Sequence, residues 1–529
     1  MSCGDRFPAT RARGGSKLHW LVPMALLLLL AAARPASATI RYQISLRDEE
    51  AHRFHVQMRV PTRGGDVVVA LPAWNALYQI RDFSYRVRDV RASFDGSPDK
   101  MLALRMLDKQ TWRISIPSGL AAAGEEAAVV SYSIEWNDPG PFDSQLNTHH
   151  AFLNLAEVLM YVPSRRAEDT QVAFEDVPAG WRIAAELAPG ASTDSYAAAS
   201  YDALVDAPVE AGTFSNFVFE SGGARFHVVV DAANWNRGRL EESLRRITGY
   251  ELQLMGGPPF SEYSFLFHIG SYADVGGGGM EHANSTAIAA SSGDRAAAVA
   301  AHEFFHAWNV KRIRPQSLEP VDYTREQYTR SLWFAEGVTS TYAAYTLERT
   351  GLWSKSQFYG DLASQIAELS SRPARLWQSA EESSLEAWFE KYPAYGAADR
   401  SISYYDKGQI LGVLLDLAIR DATDNHRSLD DVMRRMNVAY AQAGKLYAGS
   451  EGIRAAVEEV SGKSFADFFR RYVSGTEEIP YNDFLSLAGL ALRMDLPLKP
   501  GGSAAIVELP HASARQRRIR DGILRGVTE

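Results

Sequence analysis

The segment HEFFH at 302–306 constrains the fold of this chain more than any other feature. Its two histidines are four residues apart, which is about one turn of an α-helix, so both imidazoles share one helix face. Two imidazoles on one face can bind a single zinc ion, and the adjacent glutamate lies beside the metal rather than on it. The motif predicts a helix carrying His302 and His306 as zinc ligands and Glu303 as the base that activates water.

A catalytic zinc site needs a third protein ligand and an open fourth position. The candidate is Glu336, which stands in the apolar stretch LWFAEG, where a carboxylate without a partner would be costly to bury. Metal coordination would remove that cost, and so would a salt bridge with Arg330 or Arg349. The periodicity of the sequence favours neither explanation over the other.

Hydrophobic patterning divides most of the chain into three regions. Residues 39–217 alternate apolar and polar side chains, which predicts a β-sandwich-like domain. Residues 218–352 combine strand-like runs with the helix of the metal motif. The predicted fold class is multidomain α+β with a helical bundle over 353–490. The helices expected in this bundle span 356–370, 405–422, 428–440, 450–461 and 464–474.

The N-terminus has the pattern of a secretory signal peptide. Basic residues precede the apolar run LVPMALLLLLAAA at 21–33, and a small-residue cleavage site, Ala-Ser-Ala, ends at Ala38. Cleavage there predicts a periplasmic or secreted protein, and an uncleaved membrane anchor is the alternative. No later run is long enough to cross a bilayer, so no membrane span is expected after cleavage.

Composition excludes two classes of partner or cross-link. The chain has 529 residues and a net charge of −9. A negative protein does not attract the negatively charged backbone of nucleic acid, so non-specific nucleic-acid binding is not expected. Its one cysteine, Cys3, precedes the predicted cleavage site, so the mature chain has no disulfide. A purely structural zinc site would then need histidines or acids as its closed set of four ligands.

Three motifs in chain order carry a family resemblance: GGGGMEH at 276–282, HEFFHAWNVKRIRP at 302–315 and YYDKG at 404–408. Together they resemble the bacterial glycyl aminopeptidase family of gluzincin zinc metallopeptidases, over about 39–490. The resemblance implies a thermolysin-like catalytic domain at 218–352, which follows the β-rich domain along the chain. It also implies peptide substrates with a free N-terminus, from which small residues, Gly and Ala, are released.

The resemblance implies a role for each motif residue. One zinc ion per chain would be held by His302, His306 and Glu336, with Glu303 as general base. Tyr405 would stabilise the oxyanion, although Tyr404 stays open as the donor.

The upstream motif is implied to hold the substrate. Glu281 would bind the free α-amine, with Gly279, Met280 and His282 as substrate-binding neighbours. Glycine before Glu281 allows close approach of a peptide along a strand edge. His282 stands where the larger aminopeptidase pattern has Asn, and a structural hydrogen bond, a ligand contact or a proton relay remain open for it.

Two segments after the metal motif carry further expectations. The run KRIRP at 311–315 suits a helix C-terminus, or alternatively the capture of a peptide's terminal carboxylate. Asn309 is a candidate hydrogen-bond partner behind the metal ligands. The last part, 491–529, is basic and polar and is expected to be an irregular tail, too short for the PDZ-like module common in the family.

Two alternatives to an aminopeptidase remain on sequence grounds. The same zinc site could serve an endopeptidase, and Glu281 is the residue that discriminates the two activities. The zinc could also be structural, in a non-catalytic scaffold of the cell envelope.

Overall fold

The computed structural model describes residues 39–62, 64–74, 82–117, 127–270, 277–389, 392, 394–494 and 504–528. The predicted signal peptide therefore lies outside the described residues. From Ile40 to Gly212 the chain is built mainly of strands, as the alternation predicts. These are β1 (Ile40–Asp48), β2 (Arg53–Pro61), β3 (Gly65–Ala70), β4 (Val87–Phe94), β5 (Ser97–Met101), β6 (Ala103–Asp108), β7 (Thr111–Ile116), β8 (Ala127–Glu135), β9 (Gln145–Leu146), β10 (His150–Leu153), β11 (Thr170–Glu175), β12 (Arg182–Ala185), β13 (Ala188–Pro189), β14 (Ser195–Ala198) and β15 (Val209–Gly212).

These strands form three sheets. An eight-stranded sheet, in the order β13-β14-β11-β1-β2-β8-β4-β5, shares one apolar core with the three-stranded sheet β3-β7-β6. Along β2 every second side chain is buried, because alternate side chains of a strand point to opposite faces. The third sheet has the order β12-β15-β10-β9, and two short helices, α1 (Leu155–Val158) and α2 (Tyr201–Val205), complete the β-rich part.

A second sheet system carries the metal motif. Five strands pair in the order β16-β17-β18-β20-β19, and β17, β18 and β20 run parallel. β19 pairs with β20 in the antiparallel direction and lies at the edge of the sheet, so its other side has no paired strand among the described residues. The elements of this part are β16 (Ser215–Ser221), β17 (Ala224–Asp231), α3 (Arg237–Met255), β18 (Glu262–Ile269), β19 (Gly278–Glu281), β20 (Ser285–Ala290), α4 (Gly293–Phe305), a π-helix (Trp333–Val338) and α5 (Thr339–Arg349).

The β-rich part packs on one face of this five-stranded sheet. Leu266 of β18 contacts Phe152 and Phe214 there, whereas its neighbour Phe265 packs on the helical face. This explains why β18 is buried on both sides.

A charged cluster also joins the two parts. Glu210 Oε1 lies 3.0 Å from His150 Nδ1, and Glu210 Oε2 lies 2.8 Å from His268 Nε2. His150 is thus buried in the interface between the two parts.

Helices follow from residue 355 onward, close to where the sequence predicts them. One apolar core contains buried side chains from Phe217 through Ile523. The residues before and after the boundary expected at 352 therefore share this core. No helix within the described ranges has a stretch long and apolar enough to cross a membrane. The helices are α6 (Lys355–Ser371), α7 (Ala380–Leu385), α8 (Tyr404–Ala422), α9 (Leu429–Met436), α10 (Gly449–Ser461), α11 (Ala466–Phe468) and α12 (Tyr481–Ser486), with π-helical turns at Asn437–Ala441 and Phe469–Val473.

The C-terminal segment corrects the expectation of an irregular tail. It contains a hairpin of β21 (Leu490–Met494) and β22 (Ala504–Glu508), followed by α13 (Ala514–Arg525). Ile519 and Ile523 lie four residues apart on α13 and are buried in the main core. The basic residues that suggested a loose end occupy the other helix faces, where Arg515 pairs with Asp421. The many arginines made this segment look uniformly polar, but it forms an amphipathic helix with one apolar face.

Candidate active site

The metal motif lies at the C-terminal end of α4. The hydroxyl of Ser292 caps this helix by accepting a hydrogen bond from the backbone N–H of Arg295. The two histidines, one turn apart, bring their Nε2 atoms within 3.0 Å of each other. The predicted helix and the shared face of His302 and His306 are therefore present.

Glu336 joins these histidines from the π-helix Trp333–Val338. Its Oε2 lies 3.3 Å from His302 Nε2 and 3.2 Å from His306 Nε2. The sequence left open a salt bridge with Arg349, but Arg349 pairs with Asp430. A π-helical turn within a helix is a rare feature that is frequent at functional sites, and here it carries the third potential ligand.

The three side chains fit a zinc ion. In a tetrahedral zinc site with bonds of about 2.0–2.1 Å, neighbouring ligand atoms are about 3.3 Å apart. The separations of the two Nε2 atoms and Oε2 are 3.0, 3.2 and 3.3 Å, close to that value. Two imidazoles and one carboxylate are also the donor set of many catalytic zinc sites, and they leave one position open.

Electrostatics at this cluster favour a cation between the three groups. Burial raises the pKa of Glu336, but the adjacent histidines outweigh burial and lower it, so the carboxylate is ionised. Burial lowers the pKa of His306, whereas the carboxylates of Glu336 and Glu281 raise it to about 10. Without a metal, the cluster therefore holds a proton where a metal ion would provide the positive charge.

A second layer of hydrogen bonds orients the ligands. His306 Nδ1 donates to the backbone oxygen of Asn309 at 2.6 Å, which directs Nε2 toward the cluster. The hydroxyl of Ser340 donates to the backbone oxygen of Glu336 and lies 3.3 Å from His302 Nδ1. The side-chain amide of Asn309 donates to the Phe334 carbonyl at 2.9 Å, tying the loop after α4 to the π-helix. The partner predicted at Asn309 is thus present.

Glu303 points from α4 toward the edge strand β19. Its side chain is buried, and Oε2 has no hydrogen-bond partner among the described residues. Burial raises the pKa of Glu303, the charges of Glu281 and Glu336 raise it further, and His306 opposes them. A side chain at Gly279 would overlap the Glu303 carboxyl group, so the strand can approach it this closely only with glycine.

The strand β19 places its residues on two different sides. Gly279 and Glu281 line the cavity that contains the histidines, and one carboxylate oxygen each of Glu281 and Glu303 lie within 4.8 Å of each other and of a His306 nitrogen. Met280 and His282 point the opposite way and line a separate cavity of about 400 Å³. Their side chains therefore do not line the cleft that contains the histidines, and the substrate-binding role expected of Met280 and His282 stays a prediction.

His282 and the basic run after the motif have structural partners instead. Asp206 Oδ1 lies 3.3 Å from His282 Nδ1 and accepts a hydrogen bond from Lys311 at 2.9 Å. Although burial raises the pKa of Asp206, Lys311 and His282 lower it by more. Arg314 pairs with Glu319 at 2.6 Å. The run 311–315 is thus engaged in holding the fold, and capture of a peptide carboxylate by it is not supported.

Both tyrosines of the YYDKG motif line the catalytic cavity at the start of α8. Their rings stack with centroids 4.8 Å apart, but Tyr404 is 5 % exposed and Tyr405 is 38 % exposed. The Tyr405 ring is also the one whose centroid lies 6.1 Å from that of His302. Between the two tyrosines, Tyr405 is therefore the more accessible one beside the metal cluster.

Two glycines bring α8 against the π-helix. A Cβ at Gly408 would overlap the backbone oxygen of Trp333, and one at Gly337 would overlap the Cα of Gly408. This contact sets the tyrosines close to Glu336 because no side chain separates the two backbones. It gives the glycines in the AEG and YDKG sequences a packing role.

The cleft has a volume of about 620 Å³. Sequence reasoning missed several of its lining residues. Arg295 could have been found, because it shares a helix face with His302 two turns away. The others come from elements far apart in sequence, and no local pattern marks them: Phe142, Trp353, Asp361 and Gln409.

Two family models match this chain. The model for the M61 glycyl aminopeptidase matches residues 295–411, and that for the M61 peptidase N-terminal domain matches residues 41–213, together more than half of the chain. Among curated proteins, no sequence matches well enough to count as a relative.

Solved structures share the fold. An aminopeptidase N family protein from Idiomarina loihiensis is 23% identical with a TM-score of 0.80, and the match covers 90% of this chain and 82% of that one. An M1 zinc metallopeptidase from Deinococcus radiodurans is 15% identical with a TM-score of 0.50, covering 84% and 95%. With both family models and the HEFFH site, the chain belongs to the M61 glycyl aminopeptidase family of gluzincins and is a zinc metallo-aminopeptidase.

Proposed function

We propose that this enzyme releases small N-terminal residues, Gly and Ala above all, from peptides with a free α-amine. The observation that carries the proposal is the buried carboxylate of Glu281 beside the metal cluster. An α-ammonium paired with it would put the first peptide bond at the metal and exclude blocked N-termini. The description of the matching family as glycyl aminopeptidase supports the preference for small residues. Phe142 supports it too, since its ring packs against Gly278 and narrows the cleft next to β19.

One zinc ion per chain would be held by His302, His306 and Glu336. When bound, zinc polarises the scissile carbonyl and acidifies water. Glu303 accepts a proton from the attacking water and delivers it to the leaving nitrogen. Its buried Oε2, which has no hydrogen-bond partner among the described residues, supports this role because it can accept a hydrogen bond from water.

The Tyr405 hydroxyl donates a hydrogen bond to the oxygen that becomes negative as the carbonyl is attacked. We expect Tyr405→Phe to lower kcat about 10²–10³-fold, the usual effect of losing one such donor. Tyr404→Phe is the matched control and should lower kcat less than about tenfold, since its ring is buried behind Tyr405. Steady-state kinetics on Ala-p-nitroanilide measure both variants, and a larger loss in Tyr404→Phe would assign the role to Tyr404.

Glu281 provides the direct test of the proposed function. We expect the zinc-loaded enzyme to hydrolyse Gly- and Ala-p-nitroanilide and to refuse their N-acetyl forms. Glu281→Gln should lower kcat/KM on the free amines at least about 100-fold, because a partly buried charge pair is lost. Asp361→Asn removes a cleft carboxylate that is not part of the metal cluster and should retain the discrimination against acetylated substrates. Equal cleavage of acetylated peptides by the wild type would instead indicate the endopeptidase alternative.

The location of the enzyme belongs to the same proposal. We infer export and cleavage after Ala38 from the basic residues, the apolar run at 21–33 and the small-residue site. A mature chain without cysteine suits an oxidising compartment such as the periplasm.

A further inference from the structure

The catalytic cleft has opposite charges at its two ends. Glu281 lies near the His306 end of the metal helix, whereas Arg295 lines the cleft near the N-terminus of that helix. A peptide with free termini has the complementary arrangement, an ammonium at one end and a carboxylate at the other.

The guanidinium of Arg295 has no partner among the residues that the structure describes. The residue is exposed, and its side chain makes no hydrogen bond or ion pair with any residue that the structure describes. The adjacent acid, Asp294, pairs with Arg239 at 2.7 Å instead. Asp361, a cleft carboxylate outside the metal cluster, accepts a hydrogen bond from Gln409. Arg295 is therefore available to a ligand in the cleft.

Helix geometry sets how far Arg295 is from the metal cluster. Arg295 and His302 are seven residues apart, about 10 Å along the helix at 1.5 Å per residue. An extended peptide advances about 3.3–3.6 Å per residue, so this distance corresponds to about three residues beyond the scissile carbonyl. Because an arginine side chain is long and can extend toward the metal cluster, a peptide with two residues beyond the scissile carbonyl can also contact Arg295.

The cleft surface between Arg295 and His302 is mainly apolar and can contact the middle residues of a bound peptide. Ala298 and Val299 continue the helix face from Arg295 to His302, and Leu347 and Trp353 face the same cleft. Apolar side chains of a peptide can contact this surface while its backbone follows the edge strand β19. Of the other cations near the motif, Lys311 and Arg314 already have acidic partners.

We propose that Arg295 binds the free α-carboxylate of the substrate, and that the preferred substrates are tripeptides and tetrapeptides with both termini free. Arginine can hold a carboxylate through two parallel hydrogen bonds, which gives direction as well as charge. The positive N-terminal end of α4 adds to the attraction. This inference rests on the proposed aminopeptidase function and assigns its substrate class.

The test compares Gly-Ala-Ala with Gly-Ala-Ala-amide. In the wild type, kcat/KM for the free acid should exceed that for the amide by about 10–100-fold, the range expected of a hydrogen-bonded charge, and mainly through KM. Arg295→Met should reduce this ratio to about one, and Arg295→Lys should restore part of it. Arg239→Met, which removes a nearby exposed arginine outside the cleft, should keep the wild-type ratio.

Two results would overturn the inference: equal turnover of acid and amide by the wild type, or an unchanged ratio in Arg295→Met. The proposed function fails separately, if the zinc-loaded wild type hydrolyses neither Gly-p-nitroanilide nor either peptide. Calorimetric binding of the two peptides to zinc-loaded Glu303→Gln then still decides the role of Arg295. Tighter binding of the free acid than of the amide, with this difference lost when Arg295→Met is added, supports carboxylate binding by Arg295. Equal affinity for the two peptides refutes it.

Discussion

Glu303→Gln is expected to lower kcat on Ala-p-nitroanilide about 10²–10⁴-fold while keeping its full zinc content, because general acid–base catalysis contributes about this much. The amide has the shape of the carboxyl group but cannot accept the proton of the attacking water. Since Glu303 is not part of the triangle formed by His302, His306 and Glu336, its loss leaves the metal ligands in place.

The measurement combines kinetics with zinc analysis of the same purified sample. Burial raises the pKa of Glu303, so the neutral amide should be accommodated without loss of folding. Thermal unfolding of the variant should therefore match the wild type. A variant that retains a tenth of the wild-type kcat with zinc bound would refute the role of Glu303 as base.

Glu336→Gln is expected to lose zinc, and activity with it. Removing one of three ligands should weaken zinc binding by more than the roughly 10–100-fold typical of losing a residue that only orients a ligand. Ser340→Ala is the matched control, since Ser340 lies behind His302 and does not face the cluster. Competition with a chelator measures both affinities, and an equal or smaller loss in Glu336→Gln would exclude Glu336 as a ligand.

Zinc binding to the metal-free wild type should also release protons. The pKa of His306 is raised to about 10, so this imidazole is protonated at neutral pH and must lose that proton to bind a metal. Zinc affinity should accordingly fall as pH falls. Calorimetric titration in two buffers of different ionisation enthalpy measures the number of protons released, and a value of zero would contradict the charge state inferred here.

Side-chain direction and distant partners decide several points that the sequence motifs left open. Met280 and His282 stand beside Glu281 in a motif, yet alternation along β19 turns them away from it. The basic run at 311–315 looked available for a ligand because its acidic partners, Asp206 and Glu319, could not be identified from the sequence. In the segment 491–529, the many arginines suggested a polar tail, whereas Ile519 and Ile523 pack into the core.

The sequence by itself determined the features that depend on local spacing. The positions of His302 and His306 one turn apart follow from the helix period, the β-rich region follows from alternation, and most helices of the C-terminal half follow from their apolar spacing. The amino acids of these segments encode such features within one or two turns or strands. No information from distant parts of the chain is needed.

The tertiary structure alone decided which distant groups meet. At Glu336, the structure pairs Arg349 with Asp430 and places the carboxylate beside the two histidines, which argues against a salt bridge with Arg349. The position of Tyr405 beside His302, and that of Arg295 in the same cleft as Tyr405, likewise depend on packing between segments more than 50 residues apart. These contacts arise because glycines let backbones touch and because a buried charge such as that of Arg349 is stabilised by a partner of opposite charge. Neither effect leaves a periodic trace in the sequence.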